Sequence, residues 1–391
     1  MLYNIVKKSI LKNKEIKSKG GFVGIPNPFP RLAEYIPMIA ERGASIGILG
    51  NTGSGKSRFA RWLYVYHTYK FSKENKYPIK ILYFPLEDSK EKVMRNIICH
   101  YLYELYGIYV NLQELDSKGK KELPDFIVDK MEEAEEFFKE FENVVTIVDG
   151  LNKPTEIYKF CEDYALTNGS VSSYTINVDG KDKKQLIYKP NNDVHTIIVV
   201  DNMSNIDLED GKRDERESVV FFCKNLVRGR LCNFFNFTVV QIMQQDFQSE
   251  RQSFNRDGET IIGKLEPSLA GIGDAKTVAR SMHLVFGIFH PSRFNIATYP
   301  LITKNNPKGY RIDILGNRFR SLHVLKANDV DFGQRVAFNF DAVAENMTEL
   351  PELGSQQLDS IYERIQNKNP EKFSKLAPIR FEEEDDGDNP F

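Results

Sequence analysis

The chain has 391 residues, of which 41% are hydrophobic, and its formal net charge is −2. This length and apolar content allow one large domain with appendages or two ordinary domains, and we favour one large domain. No stretch approaches the length of a membrane span and the lysine-rich start lacks a signal-peptide core, so we expect a soluble, cytoplasmic protein without a membrane partner.

Cysteine content and charge distribution further limit the kind of protein that this chain can be. The four cysteines include no C-x-x-C pair, so we expect neither a disulfide framework nor a zinc site, which fits a reducing cytoplasm. Residues 381–391 carry six acidic side chains and no basic one, which leaves residues 1–380 with a net charge of +4. A mildly basic body is compatible with nucleic-acid binding, but a solvated surface gives the same charge.

The chain begins with a predicted helical arm. Apolar residues recur at helical spacing from Leu2 to Ile10, so about the first sixteen residues are expected to form an amphipathic helix with a basic back. Glycines and prolines punctuate residues 20–30. Residues 1–21 are therefore a linker-like arm, separate from the body, whose apolar face needs a partner surface.

The body, residues 22–351, is predicted to be an α/β domain with a mostly parallel sheet flanked by helices. Its hydrophobic runs lack polar alternation, as in strands that helices cover on both faces. These runs are SIGIL (45–49), IKILYF (79–84), VVTIV (144–148), TIIVV (196–200), FTVVQIM (237–243) and LVFGI (284–288). Helices are predicted between several of them, at residues 58–69, 90–105 and 215–231.

Further segments extend this sheet. Residues 168–192 form a polar insertion with a predicted hairpin at Asp179-Gly180. After Tyr310 the pattern changes to short alternating runs, YRIDIL, SLHVL and RVAFNF, which predict antiparallel strands at the C-terminal edge. Residues 352–380 are expected to form a helical extension, and residues 381–391 an acidic disordered tail.

The most specific motif lies between the first predicted strand of the sheet and the helix after it. Residues 50–57 fit G-x-x-x-x-G-K-[ST], the P-loop. Backbone N–H groups of such a loop surround the phosphates of ATP, its lysine reaches the β- and γ-phosphates, and its last hydroxyl ligates Mg²⁺. The nucleotide-binding residues are Gly50, Asn51, Thr52, Gly53, Ser54, Gly55, Lys56 and Ser57, with Ser57 also a metal ligand.

Carboxylates follow three of the predicted strands. A P-loop enzyme needs a strand-end aspartate in its metal shell, and Asp201 after TIIVV fits this role better than its rival Asp149, whose strand is less apolar. Hydrolysis also needs a group that orients water, and Glu87 follows IKILYF closely enough to reach that position. Each of these acids is otherwise a simple turn or cap residue.

Five blocks, taken in order, resemble the RecA-type ATPase core of DnaB-like replicative helicases, particularly phage-encoded ones. The blocks are GIP with FPRL, the P-loop, ILYFPLEDSKEKVMRN, TIIVVDN and FTVVQIMQQ. The resemblance covers residues 24–351 and implies an ATP hydrolase with Glu87 as catalytic base. It also implies that Gln244, or its rival Gln241, senses the γ-phosphate. Because cores of this type place the nucleotide at a subunit boundary, we expect a homo-hexameric ring.

The resemblance has two departures. The family usually carries a Lys-x-Arg pair that reaches the γ-phosphate bound by the neighbouring subunit, whereas residues 326–328 (KAN) keep the lysine and lack the arginine. Lys326 is therefore a trans-acting candidate, and Arg320, or else Arg318 or Arg335, is the candidate replacement for the arginine. The helical N-terminal domain of bacterial DnaB is not matched, so the N-terminal arm supplies at most a linker-like helix.

In ring ATPases of this type, pore loops after the Walker B strand and after the glutamine-bearing strand contact single-stranded DNA. The matching stretches are residues 207–217 and 246–273. Their basic residues are predicted to follow DNA phosphates, and Phe247 and Phe254 to stack bases or else to anchor their loop. The basic residues are Lys212, Arg213, Arg216, Arg251, Arg256 and Lys264.

The acidic tail ends in Phe391, and an aromatic residue at this place is a poor choice for solubility alone. The tail is similar to the acidic tails with terminal phenylalanine of single-stranded DNA-binding proteins and some phage ring helicases. This similarity implies that Phe391 docks on a replication partner, such as the polymerase or a loading factor. A tail that only keeps the protein in solution is the alternative.

The sequence therefore predicts an ATP- and Mg²⁺-dependent, ring-forming DNA translocase or replicative helicase. The alternative is a non-motor ATP switch of the recombinase or KaiC type, because residues 326–328 lack the arginine. A small-molecule kinase is less favoured, because no separate substrate-lid domain is visible.

Overall fold

Buried apolar strands form the centre of the molecule. The structure is a computed structural model that describes residues 2–120, 122–178, 181–246, 250–256, 258, 260–301, 309–328 and 333–366. In chain order the strands are β1 (Ile25–Pro26), β2 (Met38–Ala40), β3 (Ser45–Gly50), β4 (Ile79–Pro85), β5 (Val145–Ile147), β6 (Gly169–Val178), β7 (Lys181–Pro190), β8 (His195–Asp201), β9 (Thr238–Gln244), β10 (Leu284–Phe289), β11 (Thr298–Tyr299), β12 (Tyr310–Arg311), β13 (Phe319–Ala327), β14 (Arg335–Asp341) and β15 (Asn346–Glu349).

Nine of these strands form one sheet, in the order β15-β14-β13-β10-β3-β9-β8-β4-β5. The six strands from β10 to β5 are parallel to one another, and they are the six apolar runs predicted from the sequence. Strands β13, β14 and β15 are antiparallel and extend one edge. The predicted α/β class, with antiparallel strands added at the C-terminal edge, is confirmed.

Helices cover both faces of this sheet. They are α1 (Leu2–Ser18), α2 (Pro30–Tyr35), α3 (Lys56–Ala60), α4 (Thr68–Asn75), α5 (Lys90–Tyr106), α6 (Leu112–Leu115), α7 (Asp125–Glu133), α8 (Glu135–Val144), α9 (Pro154–Thr167), α10 (Glu215–Phe221), α11 (Lys276–Ser281), α12 (Ile312–Leu315) and α13 (Gln356–Gln366). Two π-helical stretches continue α3 into α4 and extend α10, at Arg61–His67 and Phe222–Cys232. Nowhere in the described ranges does a helix combine the length and the apolarity that crossing a membrane requires.

The pleat of β4 shows why the parallel strands lack polar alternation. Ile81 and Tyr83 point into the core under the P-loop helix, which is α3 with its π-helical continuation to His67. Leu82 and Phe84 point into a second core on the opposite face. Full burial of a large apolar side chain is worth about 1.5–3 kcal/mol, so both faces of the strand favour apolar residues. Polar side chains are therefore left for the strand ends, where the candidate site lies.

Two sequence predictions need correction or completion. The predicted strand YRIDIL is wrong after its first two residues, because only Tyr310–Arg311 pairs with β11 and Ile312–Leu315 forms a helical turn. Ile312 and Leu315 are both buried, which satisfies the apolar pattern at helical spacing. The predicted hairpin is present as β6 and β7, which pair as far as Val178 and Lys181, while its tip, residues 179–180, lies outside the described residues.

The arm at the start of the chain is helical, as its sequence predicts. Helix α1 exposes an apolar set to solvent, namely Tyr3, Val6, Ile10 and Leu11. The division into residues 1–21, 22–351, 352–380 and 381–391 stays a prediction. Within the C-terminal extension α13 is described, and the acidic tail lies outside the described residues.

A buried ion pair ties the P-loop helix to the turn between β14 and β15. Arg61 Nε and Nη2 donate to the two carboxylate oxygens of Glu345 at 2.8 and 2.6 Å, and both side chains are 3% exposed. Arg58 approaches the same carboxylate at 3.8 Å but is 46% exposed. The two arginines therefore share one partner in very different surroundings.

We expect Arg61→Gln to destabilise the fold by about 3–5 kcal/mol, because it leaves the Glu345 carboxylate buried without its bidentate partner. The matched variant Arg58→Gln removes an exposed cation from the same carboxylate, and should cost less than about 1 kcal/mol. Urea unfolding followed by circular dichroism measures both effects. Equal losses of stability in the two variants would contradict this account.

Candidate nucleotide-binding site

The P-loop curls between β3 and α3 at the carboxyl edge of the sheet. Gly53 and Gly55 have φ angles of 71° and 97°, in the left-handed region that favours glycine. A Cβ at Gly55 would also lie 2.7 Å from the Phe340 ring, so this position has no room for a side chain. The curl brings Lys56 Nζ to within 2.9 Å of the Asn51 carbonyl oxygen, to which it donates.

Lys56 lies in a strongly charged environment although it is only 7% exposed. Burial lowers the pKa of its ammonium group to about 8, against the raising influence of Asp201, Glu250 and Glu87, while Arg293 lowers it further. A buried ammonium that is costly to keep charged gains from a polyanion beside it. The site is therefore electrostatically prepared for phosphate.

The predicted metal ligands lie next to each other. Ser57 Oγ donates to Asp201 Oδ1 at 2.8 Å, so the first turn of α3 and the end of β8 meet in one oxygen-rich corner. Asp201 is 4% exposed, and burial raises the pKa of its carboxyl group, although the hydrogen bond from Ser57 and the charge of Arg61 oppose this shift. Neighbouring hydroxyl and carboxylate oxygens are the ligands that Mg²⁺ prefers.

The side chains that hold the second carboxylate oxygen of Asp201 were not identified from the sequence. Tyr83 OH donates to Asp201 Oδ2 at 2.9 Å, and Arg61 Nη1 approaches the same tyrosine oxygen at 3.4 Å. Since Arg61 is itself held by Glu345, a continuous polar chain runs from the turn after β14 to the metal corner. One signal existed, because Arg61 lies four residues after Ser57 on the same helical face.

The candidate catalytic residues sit at the ends of strands β4 and β9. Glu87 follows β4 and is exposed, and its charge acts on Lys56. Gln244 ends β9, directly beside Gly50 of the P-loop strand, and its Nε2 donates to Thr52 Oγ1. Both side chains are therefore beside the phosphate loop, as a water-orienting base and a phosphate sensor would need to be.

The rival residues have other partners. Gln241 is buried in the middle of β9 and donates to Ser45 Oγ at 2.8 Å, so it lies away from the phosphate loop. Asp149 accepts a hydrogen bond from the Lys90 backbone N–H at 3.0 Å, at the start of α5. These positions favour Gln244 over Gln241, and Asp201 over Asp149.

Arg320 lies inside its own chain rather than on a free surface. Its Nε donates to the Ser54 carbonyl at 2.7 Å, and its guanidinium lies 5.0 Å from the centre of the Phe340 ring. Burial and the nearby Arg58 and Arg293 lower the pKa of its guanidinium. This position argues against the trans-acting role predicted for Arg320 and favours support of the P-loop in the same chain.

Lys326 pairs with Val285 near the start of β10. It therefore lies near the amino-terminal ends of the parallel strands, whereas the P-loop lies at their carboxyl ends. Its Nζ donates to the carbonyl oxygens of Ala279 and Arg280 at 3.0 and 3.2 Å, at the end of α11. It cannot serve the P-loop of its own chain, and its trans-acting role stays a prediction. The rivals of Arg320 also have partners within the chain: Arg318 pairs with Asp341, and Arg335 with Glu266.

The predicted DNA-contacting loops follow β8 and β9 at the same edge as the P-loop. Lys212 Nζ lies 4.3 Å from the centre of the Phe221 ring, and Arg213 Nε donates to Glu217 at 2.6 Å. Phe254 is 59% exposed. The remaining predicted contacts, Arg216, Arg251, Arg256 and Lys264, are exposed, and Phe247 lies outside the described residues.

A groove separates these two loops. Its lining includes Arg216 from the first loop, Asp246 from the second and Gln244 from the end of β9. The candidate phosphate sensor therefore also borders the surface between the two loops. The proximity of Arg216 to Gln244 and Asp246 could not be predicted from spacing in the sequence.

The residues at the P-loop fit a magnesium–nucleotide complex. The side-chain amide of Asn51 and the hydroxyl of Ser54 are buried, and within the described ranges they have no hydrogen-bond partner. Buried polar groups nearly always have partners, so these two are suited to a polar ligand. No group of three or more His, Cys, Asp or Glu side chains in the described part of the chain could hold a metal, and Mg²⁺ would need phosphate and water oxygens beside Ser57 and Asp201.

Comparisons with known proteins identify the fold. No protein-family model and no curated protein matches the sequence. A solved structure of a DnaB-like replicative helicase, described with its interactions with primase, is similar at a TM-score of 0.57 and 14% identity. The match covers 88% of this chain and 66% of the helicase chain, slightly less than two thirds of it. A KaiC-like protein from the archaeon Pyrococcus horikoshii OT3 matches at a TM-score of 0.42 and 14% identity, over 84% of this chain and 97% of that one.

The first match is close enough to establish the fold. The chain has the RecA-like, DnaB-type helicase fold that its motifs predict. At 14% identity the similarity extends to architecture and not to activity.

We expect the protein to take up a proton at Lys56 when it binds nucleotide above pH 8. The pKa of Lys56 is about 8, and adjacent phosphates raise it, so at about pH 9 the lysine is mostly neutral alone and protonated in the complex. At about pH 7 it is protonated in both, and it takes up no proton. Calorimetric titration with MgADP in two buffers of different ionisation enthalpy measures the uptake. Equal uptake at both pH values would contradict the assignment.

Proposed function

We propose that the chain is an ATP-hydrolysing DNA translocase or replicative helicase that acts on single-stranded DNA as a homo-hexameric ring. The observation that carries this proposal is the convergence at one sheet edge of Lys56, the Ser57–Asp201 corner, Glu87 and Gln244. The same edge carries the two loops with exposed basic and aromatic side chains. Nucleotide chemistry and a nucleic-acid surface thus adjoin each other.

Each residue at this edge has a distinct task in hydrolysis. Lys56 places a positive charge where the β- and γ-phosphates lie, and Ser57 and Asp201 hold Mg²⁺, which when bound neutralises phosphate charge. Glu87 is exposed and accepts the proton of the attacking water as general base. Gln244 donates a hydrogen bond to Thr52 in the P-loop and senses the terminal phosphate. Because it ends β9, it links the state of that phosphate to the loop after β9.

The DNA-contacting surface is proposed to be the pair of loops after β8 and β9. Arg216, Arg251, Arg256 and Lys264 are exposed and suit a phosphate backbone, and Phe254 suits stacking on a base. Lys212, Arg213 and Arg216 interact within the chain, so these contacts would have to be exchanged for phosphates. Such binding is independent of sequence and falls as salt rises.

The proposed ring assembly and the proposed partners rest on features outside the ATPase core. The exposed apolar face of α1 suits packing on a neighbouring copy, as a ring requires. The acidic tail with Phe391 suits docking on a replication polymerase or loading factor.

A second candidate function is a non-motor ATP switch that controls assembly. The observation that favours it is the absence of arginine from residues 326–328 together with the position of Arg320, whose guanidinium is occupied within its own chain. A ring motor needs a cation that crosses to the neighbouring phosphate, and Lys326 is then its main candidate.

We expect Glu87→Gln to lower ATP turnover by about 10²–10⁴-fold while nucleotide affinity stays near that of the wild type, since the amide cannot accept a proton from water. The matched control is Asp149→Asn, after the end of β5, where the side chain accepts a hydrogen bond from the Lys90 backbone N–H, and this variant should hydrolyse ATP normally. Steady-state phosphate release and fluorescent nucleotide titration measure the two quantities. Normal turnover in Glu87→Gln would make Glu87 a structural residue.

We expect the wild-type protein to unwind a forked DNA duplex in the presence of ATP and Mg²⁺, and single-stranded DNA to stimulate its ATPase activity. Raising the salt concentration should weaken this stimulation, because bound phosphates release counterions. Lys56→Ala, which removes the charge at the phosphates, is the control and should do neither. ATP-dependent ring assembly without unwinding or DNA stimulation would favour the switch.

A further inference from the structure

The loop after β9 places a carboxylate directly on the P-loop. Glu250 Oε1 accepts a hydrogen bond from the Thr52 backbone N–H at 3.1 Å, although the two residues are far apart in sequence. The Glu250 side chain is only 11% exposed, and its charge also acts on Lys56. An acidic side chain from a predicted DNA-contacting loop is thus hydrogen-bonded to a donor of the phosphate-binding loop.

A second charged residue lies near the other carboxylate oxygen of Glu250. Arg293 follows β10 in the turn Pro291–Phe294, and its Nη2 lies 3.8 Å from Glu250 Oε2. Its guanidinium also lies 3.8–3.9 Å from the place of a Cβ at Gly53, so it lies against the P-loop backbone. It is close enough to lower the pKa of Lys56.

The position of Thr52 identifies which phosphate this pair faces. Gln244 Nε2 donates to the Thr52 hydroxyl, so the proposed sensor of the terminal phosphate and Glu250 meet at one residue. Lys56, which a P-loop directs at the β- and γ-phosphates, also interacts with Glu250. Glu250 therefore lies at the terminal-phosphate end of the loop.

A carboxylate and a phosphate cannot share this place. Both are anions that seek the Thr52 N–H and the Arg293 guanidinium, and like charges at contact distance in a partly buried site repel strongly. Arginine pairs with phosphate as well as with carboxylate, often with two hydrogen bonds. The two anions must therefore exchange.

We propose that Arg293 is a ligand of the nucleotide's terminal phosphate, and that Glu250 holds both Thr52 and Arg293 until that phosphate replaces its carboxylate. This inference rests on the nucleotide site proposed above. A triphosphate gains Arg293 and displaces Glu250, whereas a diphosphate lacks the group that does so. The pair thereby distinguishes ATP from ADP.

The exchange also moves a loop that is proposed to contact DNA. Glu250 directly precedes Arg251, so release of the carboxylate changes the position of an exposed basic side chain. The terminal phosphate is thus linked to the DNA-contacting loop by charge competition, in addition to the hydrogen bond of Gln244.

The test compares the affinities of the full chain for MgADP and for a non-hydrolysable Mg-triphosphate analogue, measured by calorimetry. Glu250→Gln should bind the analogue about tenfold more tightly, and Arg293→Gln about tenfold more weakly, with ADP affinity within about twofold of wild type in both. Arg293→Lys keeps the charge and should recover most of the loss. In the double variant the gain from Glu250→Gln should shrink, because part of it comes from the freed guanidinium.

The control is Asp313→Asn, which removes a carboxylate paired with Arg311 elsewhere on the surface and should change neither affinity. If Glu250→Gln or Arg293→Gln changes ADP and analogue affinity equally, the pair does not face the terminal phosphate and the inference fails. Wild-type protein that binds neither nucleotide would instead overturn the proposed function. Thermal melts of each variant establish that it is folded.

Discussion

The candidate site depends on the two hydrogen bonds that the Asp201 carboxylate accepts. One oxygen accepts from Ser57 at the start of α3 and the other from Tyr83 in the neighbouring strand β4. Because the group is almost fully buried, a lost hydrogen bond leaves a charged acceptor unsatisfied, at a cost of about 1–3 kcal/mol or more. The P-loop helix and the strands β8 and β4 are therefore fixed relative to one another by protein contacts alone. Arg61 and Glu345 extend this support to the antiparallel edge of the sheet.

The parts that sequence predicts well are those with local causes. Five of the six parallel strands are buried on both faces, which removes polar residues from the run itself and made them recognisable. The sixth, β5, lies at the edge of the sheet and is half-buried at Thr146 and Ile147. The P-loop was recognisable because its left-handed residues require glycine, and its lysine and serine have fixed roles. Asp201 could be preferred to Asp149 because the run before it is more apolar, and a more apolar run marks a strand nearer the centre of the sheet.

The remaining parts depend on residues that only folding brings together. Glu345 is 284 positions from Arg61, and no periodicity or motif connects them. Glu250 reaches Thr52 across 198 positions, and Arg293 comes from a third segment. Arg320 shows the same limit, because an arginine on a strand was expected to reach a neighbouring subunit, whereas its Nε donates to the Ser54 carbonyl oxygen of its own P-loop. Spacing along the chain carries no information on such contacts.

The burial of the cysteines has a practical consequence for experiments on motion. Burial raises the pKa of all four thiols, and only a thiolate reacts readily with maleimide reagents. Under native conditions Cys99, Cys161, Cys223 and Cys232 should therefore stay unlabelled. A single cysteine introduced at an exposed site on the β6–β7 hairpin or on α1 can then carry a fluorophore in an otherwise unaltered chain. Distances between such dyes would follow the arm and the hairpin, and would test the proposed assembly of neighbouring copies.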